Sequence, residues 1–192
     1  MVRLVIASIV GGVIVFGWGA AAHMALPLGK AGWASLPDDT RLIESLKQAA
    51  PNSGMFMIPA RDFEKVYTAE EEASLMAKYK QGPFAIVAYT AEGIDPMSPR
   101  NFVTEFLSGV LAAGVAALAL SMVTASYLKR AGVVALFALF AWLSQSVSYW
   151  NWYRFPTDYI VAEGITEVVG WLLAGLALAK IVPVPRVSQS PV

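Results

Sequence analysis

The sequence predicts a mainly α membrane protein: a four-transmembrane-helix bundle with a small α/β extracytoplasmic domain between helices 1 and 2. Three observations carry this reading. The chain of 192 residues is 57% hydrophobic and only 15% charged, where a soluble domain carries about 25% charged residues. Four stretches each reach the roughly 20 mostly apolar residues that a spanning helix needs. The segment between the first two is polar and patterned like a folded unit.

The first span covers residues 4–26 of a segment 1–26, with no formal charge between Leu4 and Ala22. Ala20-Ala21-Ala22 resembles a signal-peptide cleavage site. The run is nevertheless long enough to span, and we expect it to remain as a helix. The second span is expected over 106–128 of a segment 102–128, the third over 131–150, and the fourth over 159–182 despite Glu163 and Glu167. Residues 151–158 are expected to form an outer aromatic loop, with Pro156 ending the turn and Asp158 capping the fourth span. Residues 183–192 read as a disordered tail.

Orientation follows from basic residues favouring the cytoplasmic side. Lys129 and Arg130 fall in the two-residue link between spans two and three. Arg3 precedes the first span, and Lys180 and Arg186 flank the end of the fourth. All five share one side if both termini are cytoplasmic, which makes residues 27–101 periplasmic in a bacterial inner membrane. Little chain is then left on the inner side for a catalytic domain.

Within 27–101, Asp38 or Asp39 can cap a helix to about Ala49 that presents Leu42, Ile43 and Leu46 on one face. Thr68 and Glu71 form a capping box for a helix over 69–81. "GMFMIP" (54–59) and "PFAIVAYT" (83–90) read as strands. Ser98 as N-cap and Pro99 as first helical residue then open the second span. A unit of this size buries a small core at best.

The composition excludes several chemistries. With no Cys and one His, thiol catalysis, zinc–thiolate sites and multi-histidine metal sites are ruled out within one chain. No basic stripe suggests nucleic acid. No nucleophile motif, Gly-rich phosphate loop or zinc signature points to a reaction, so no residue is assigned as catalytic and no cofactor is identified.

Polar groups cluster in the outer half of the spans. Glu163 and Glu167 lie one turn apart on one face, joined by His23, Glu105, Gln145 and Ser148. Buried charge in a membrane usually faces the bundle interior or a water-filled cavity. These six residues therefore outline a candidate ligand pocket open to the outer face and closed below by apolar side chains. The bland alternative is that the glutamates hydrogen-bond Gln145, Ser148 or Thr104, or pair with Arg154 or His23. A metal site of His23, Glu163 and Glu167 is the weakest reading, since one His is the minimum for it. Tyr149, Trp150, Trp152, Tyr153, Arg154 and Phe155 sit where an interfacial aromatic belt contacts membrane lipid. Small residues at Gly11, Gly12, Gly17 and Gly19, and at Gly109, Ala112, Ala113, Gly114, Ala116 and Ala117, allow close helix approach. That approach serves either packing within the chain or another membrane subunit.

"WGAAAHMALPLG" (18–29), "MSPR" (97–100), "SYWNWYRFP" (148–156) and "EGITEVVGWLLAGL" (163–176) together resemble a family of small bacterial four-span inner-membrane proteins with no assigned function. The resemblance implies the four-span fold and no catalytic residues. The expected function is a non-enzymatic accessory, assembly or ligand- or lipid-binding role at the outer face. The alternatives are a membrane enzyme or metal- or cofactor-binding protein using Glu163, Glu167 and His23, and, ranked below it, a small transporter.

Overall fold

In the computed structural model, which describes residues 1–185, the elements follow in chain order. They are α1 (Val2–Met24), a 3-10 turn (Pro27–Lys30), α2 (Asp39–Ala49), β1 (Gly54–Ile58), α3 (Ala69–Gln81) and β2 (Ala85–Tyr89). Then come α4 (Pro99–Leu120), α5 (Tyr127–Ala141), a π turn (Trp142–Ser146), α6 (Val147–Tyr153) and α7 (Thr157–Ile181). Four helices are long and apolar enough to cross a membrane: α1, α4, the continuous run from α5 through α6, and α7. The chain divides into a helical unit, Met1–Trp33 with Pro96 onward, and a small inserted unit, Ala34–Asp95. The tail expected over 183–192 lies outside the described residues from Arg186 onward.

In the helical unit, α1 runs along both α4 and α7. α5 packs on α7 but not on α1, and α4 and α5 scarcely meet. Lipid is as apolar as leucine, so helices associate there through close backbone approach and hydrogen bonds rather than a hydrophobic drive. The buried core is accordingly built of small side chains around a few large ones: Ala7, Ala116, Ala117, Ala131 and Ala174 around Leu120, Val134 and Leu178. A Cβ on Gly11 would stand 2.7 Å from the Ala113 Cβ, and one on Gly12 would stand 2.9 Å from the Val110 Cα. A Cβ on Gly175 would stand 2.7 Å from the Ala131 carbonyl oxygen. These glycines set the α1–α4 and α5–α7 distances. Gly17 and Gly19, in contrast, have nothing within 4 Å of where a Cβ would sit.

The turn between the second and third spans differs from the expectation. α4 ends at Leu120 rather than at residue 128, and α5 begins at Tyr127 rather than at 131. Ser121, Thr124 and Ser126 fall in the turn, and the Ser121 hydroxyl donates to the Leu118 carbonyl at 2.6 Å. Hydroxyl side chains that bond nearby backbone compete with the helical ladder, which ends α4 early. Lys129 and Arg130 consequently lie in the first turn of α5 rather than in a link.

Arg130 is only 1% exposed. Its guanidinium donates to the Ala179 and Val182 carbonyls at 3.1 and 2.9 Å, and to those of Leu120 and Pro183 at 3.1 and 3.4 Å. It therefore clamps the C-terminal ends of α4 and α7, where orphan carbonyls and the negative pole of the helix dipole favour a cation.

In the inserted unit, β1 and β2 pair antiparallel on either side of α3 in the chain, from Gly54 with Tyr89 to Ile58 with Ala85. Asp38 caps α2 by accepting from the Arg41 amide, and Thr68 and Glu71 make the expected capping box on α3. Leu75 is buried, and the Tyr79 hydroxyl donates to Met57 Sδ at 3.4 Å, tying α3 to β1. Two ion pairs, Arg61–Glu72 and Lys65–Glu71, bracket the Tyr67 ring, with each cation about 5 Å from its centroid. The hydrogen bonds of these pairs hold both carboxyls below the usual carboxylate range.

Candidate functional site

α7 is the hub of the helical unit, and two tryptophans lock onto it in the same way. Trp142 Nε1, in the π turn, donates to the Ile160 carbonyl at 2.9 Å, and its ring fills the space where a Cβ on Gly164 would sit, 2.7 Å away. Trp18 Nε1, in α1, donates to the Thr166 carbonyl at 2.9 Å, and its ring lies 2.8 Å from where a Cβ on Gly170 would sit. In both cases the carbonyl belongs to the residue four before the glycine. Without a Cβ, the glycine leaves that carbonyl open to a second donor beside its own helical bond. A buried indole N–H needs such a partner. The π turn, a frequent accompaniment of functional sites, aims Trp142 at its notch.

The aromatic segment is more helical than expected. The chain stays helical through Tyr153, and Arg154, at φ 60, ends it in the left-handed region. The turn is thus Arg154–Pro156, shorter than the loop expected over 151–158. α7 then starts at Thr157 with Pro156 at the cap position, so Asp158 lies in the first turn rather than capping it. A charge there still complements the helix dipole. Trp150 Nε1 donates to Thr157 Oγ1 at 3.1 Å. A chain of ring contacts runs from Tyr153 through Tyr149, Phe155 and Tyr159 to Trp33, with centroids 5.6–6.3 Å apart. Trp152 remains 71% exposed.

Among the described residues, no side-chain hydrogen bond or ion pair ties the six candidate pocket residues to one another. His23 is exposed and its Nδ1 lies 2.9 Å from the Gly19 carbonyl of its own helix. Gln145 Nε2 donates to the Tyr149 hydroxyl at 3.2 Å. Glu105 and Ser148 are exposed. Glu167 Oε2 accepts from Trp171 Nε1 at 3.1 Å, one turn along α7. Among the described residues, no hydrogen bond or ion pair joins Glu163 or Glu167 to Gln145, Ser148, Thr104, Arg154 or His23. Glu163 Oε2 is buried with no partner. Among the described residues, no three His, Cys, Asp or Glu side chains stand close enough to share a metal ion.

Glu163→Gln is therefore expected to leave accumulation intact and to raise unfolding stability by on the order of 1 kcal/mol, because it replaces an ionisable group at membrane depth whose buried oxygen has no partner to lose. Chemical unfolding in detergent measures this, and loss of the folded protein would show a structural role instead.

Glu167 lines a cavity between α4 and α5. Where α4 and α5 fail to meet they leave a cleft of about 460 Å³. Ala112, Val115 and Ala116 form its α4 wall, and Val134, Phe137, Ala138 and Ala141 its α5 wall. Glu167 and Trp171 of α7 close its back. Glu167 lies roughly 15 Å along α7 from Thr157, well inside the span. The cleft therefore offers small, apolar walls at membrane depth with one carboxylate at the back. Glu167 is the one ionisable side chain among its lining residues.

The fold defines a class: four helices able to cross a membrane, with a small α/β insertion after the first. No protein-family model, curated protein or solved structure matches this chain.

Proposed function

We propose that the chain is a non-enzymatic integral membrane protein with an accessory, assembly or lipid-binding role, and that the α4–α5 cleft is where it holds a membrane-embedded occupant. The observation that carries this reading is the cleft itself, with its alanine-rich walls and a carboxylate at its back. Small residues let an acyl chain or a partner helix approach closely. Gly11, Gly12 and Ala113 of the first two spans are already occupied within the chain, which leaves the cleft as the stronger candidate for a subunit contact.

The proposed setting is a bacterial inner membrane with both termini cytoplasmic. The gathering of Arg3, Lys129, Arg130 and Lys180 near one set of helix ends supports it. Transport ranks lower, because Ser8 and Ser121 at that end bond to their own helix backbone. A second reading, a membrane enzyme or cofactor binder centred on the glutamates, is favoured only by the unpartnered Glu163 Oε2.

Native mass spectrometry of the protein taken from its own membranes in mild detergent tests the proposal. We expect bound lipid or a bound polypeptide on the wild type and its loss from Ala116→Phe and Ala138→Phe, which fill the cleft. Equal occupancy of the wild type and both variants would refute the cleft as the binding place.

A further inference from the structure

We propose that α2 lies on the membrane surface, with its Leu42–Ile43–Leu46 face seated at the boundary between lipid headgroups and acyl chains. At about 100° per residue, Ala49, Leu42, Leu46 and Ile43 occupy roughly a third of the helix circumference. Arg41 and Lys47 flank this arc, Asp39 falls within it at the N-terminal end of the helix, and Glu44 and Gln48 fall opposite it. Basic side chains at the edges of an apolar face can lay their stems along it and lift their charges to the phosphates. The acidic Glu44 faces away. A soluble helix would bury this arc, yet Leu42 and Ile43 are 44% and 47% exposed, no residue of α2 is buried, and α2 makes no extensive contact with another helix or strand.

The occupant is lipid rather than a further protein because of where the chain comes from. Trp33, 74% exposed, makes an edge contact of 6.3 Å with Tyr159 in the first turn of α7, the level at which tryptophan marks a membrane interface. Six residues later α2 begins, a tether that reaches at most about 20 Å. Leu36, within that tether, is itself 60% exposed. An amphipathic helix tied this closely to an interface meets lipid at high effective concentration, and such helices bury their apolar face about 5–10 Å into the boundary.

The absence of cysteine allows clean single-site spin labelling of the full chain. Leu42→Cys, Ile43→Cys and Leu46→Cys, with Glu44→Cys and Gln48→Cys as the opposite face, would each carry a nitroxide after reconstitution into vesicles of equal parts phosphatidylcholine and phosphatidylglycerol. Collision with oxygen, which partitions into lipid, is compared with collision with a water-soluble nickel chelate. We expect the oxygen-to-nickel ratio at 42, 43 and 46 to exceed that at 44 and 48 roughly fivefold or more, as a face several ångströms into the boundary requires. Equal ratios on both faces would place α2 in water and overturn the proposal. Low collision with both reagents at 42, 43 and 46 would place that face against protein and overturn it equally. Circular dichroism of each variant verifies that all five are folded.

Discussion

Arg130→Ala is expected to lower unfolding stability by about 3 kcal/mol, the largest single-residue effect in the helical unit. The guanidinium is buried and serves four carbonyls on two different helix ends. Removing it takes a donor from each of those carbonyls, of which Leu120 keeps the Val123 amide, and removes the cation from the negative poles of α4 and α7. The third span would also lose its hydrogen bonds to the C-terminal ends of both neighbours, while Tyr127 and Trp142 still donate to the Leu176 and Ile160 carbonyls of α7. Arg130→Lys keeps the charge but presents an ammonium where a planar fork reaches several acceptors. It should recover part of the loss and no more. Denaturant titration in detergent of wild type, Arg130→Lys and Arg130→Ala measures the series. An unchanged midpoint for Arg130→Ala would show that the clamp carries no net stability.

The second large effect concerns glycines, and its sign depends on position. Gly12→Ala and Gly175→Ala are each expected to destabilise by about 2–3 kcal/mol, because the added methyl meets rigid backbone and the helices must move apart. The Val110 Cα lies 2.9 Å from the one, and the Ala131 carbonyl oxygen 2.7 Å from the other. Gly17→Ala and Gly132→Ala add a methyl to open space. They should be neutral or stabilising by up to about 1 kcal/mol, since alanine is the better helix former. The same titration separates the two pairs, and equal effects at all four positions would refute the close-packed helix contacts.

The four spans were legible because about 20 apolar residues in a row have few other uses. The ends of α2 and α3 were legible because Asp38, Thr68 and Glu71 cap helices through local chemistry. Which helices touch was not. In a membrane the lipid-facing and protein-facing sides of a helix are equally apolar, so no periodicity marks the α4–α5 cleft or separates Gly12 from Gly17. Arg130 was read as a surface charge marking orientation, because its burial depends on α4 ending at Leu120. The Trp18 and Trp142 notches join residues 148 and 18 positions apart, with only the pairing of bulky tryptophan and glycine as a hint. Glu167 lines the α4–α5 cleft while Glu163 Oε2 is buried without a partner, and spacing along one helix does not distinguish these.

Photo-crosslinking in the native membrane tests the binding cleft most directly. A photoreactive side chain at Ala116 or Ala138, inside the cleft, is compared with one at Leu111 or Leu136, which are 72% and 60% exposed and absent from its lining. The account predicts a discrete adduct from the two cleft positions, resolved by mass as one polypeptide or one lipid class, and only diffuse lipid labelling from the other two. The same diffuse labelling from all four positions would contradict it.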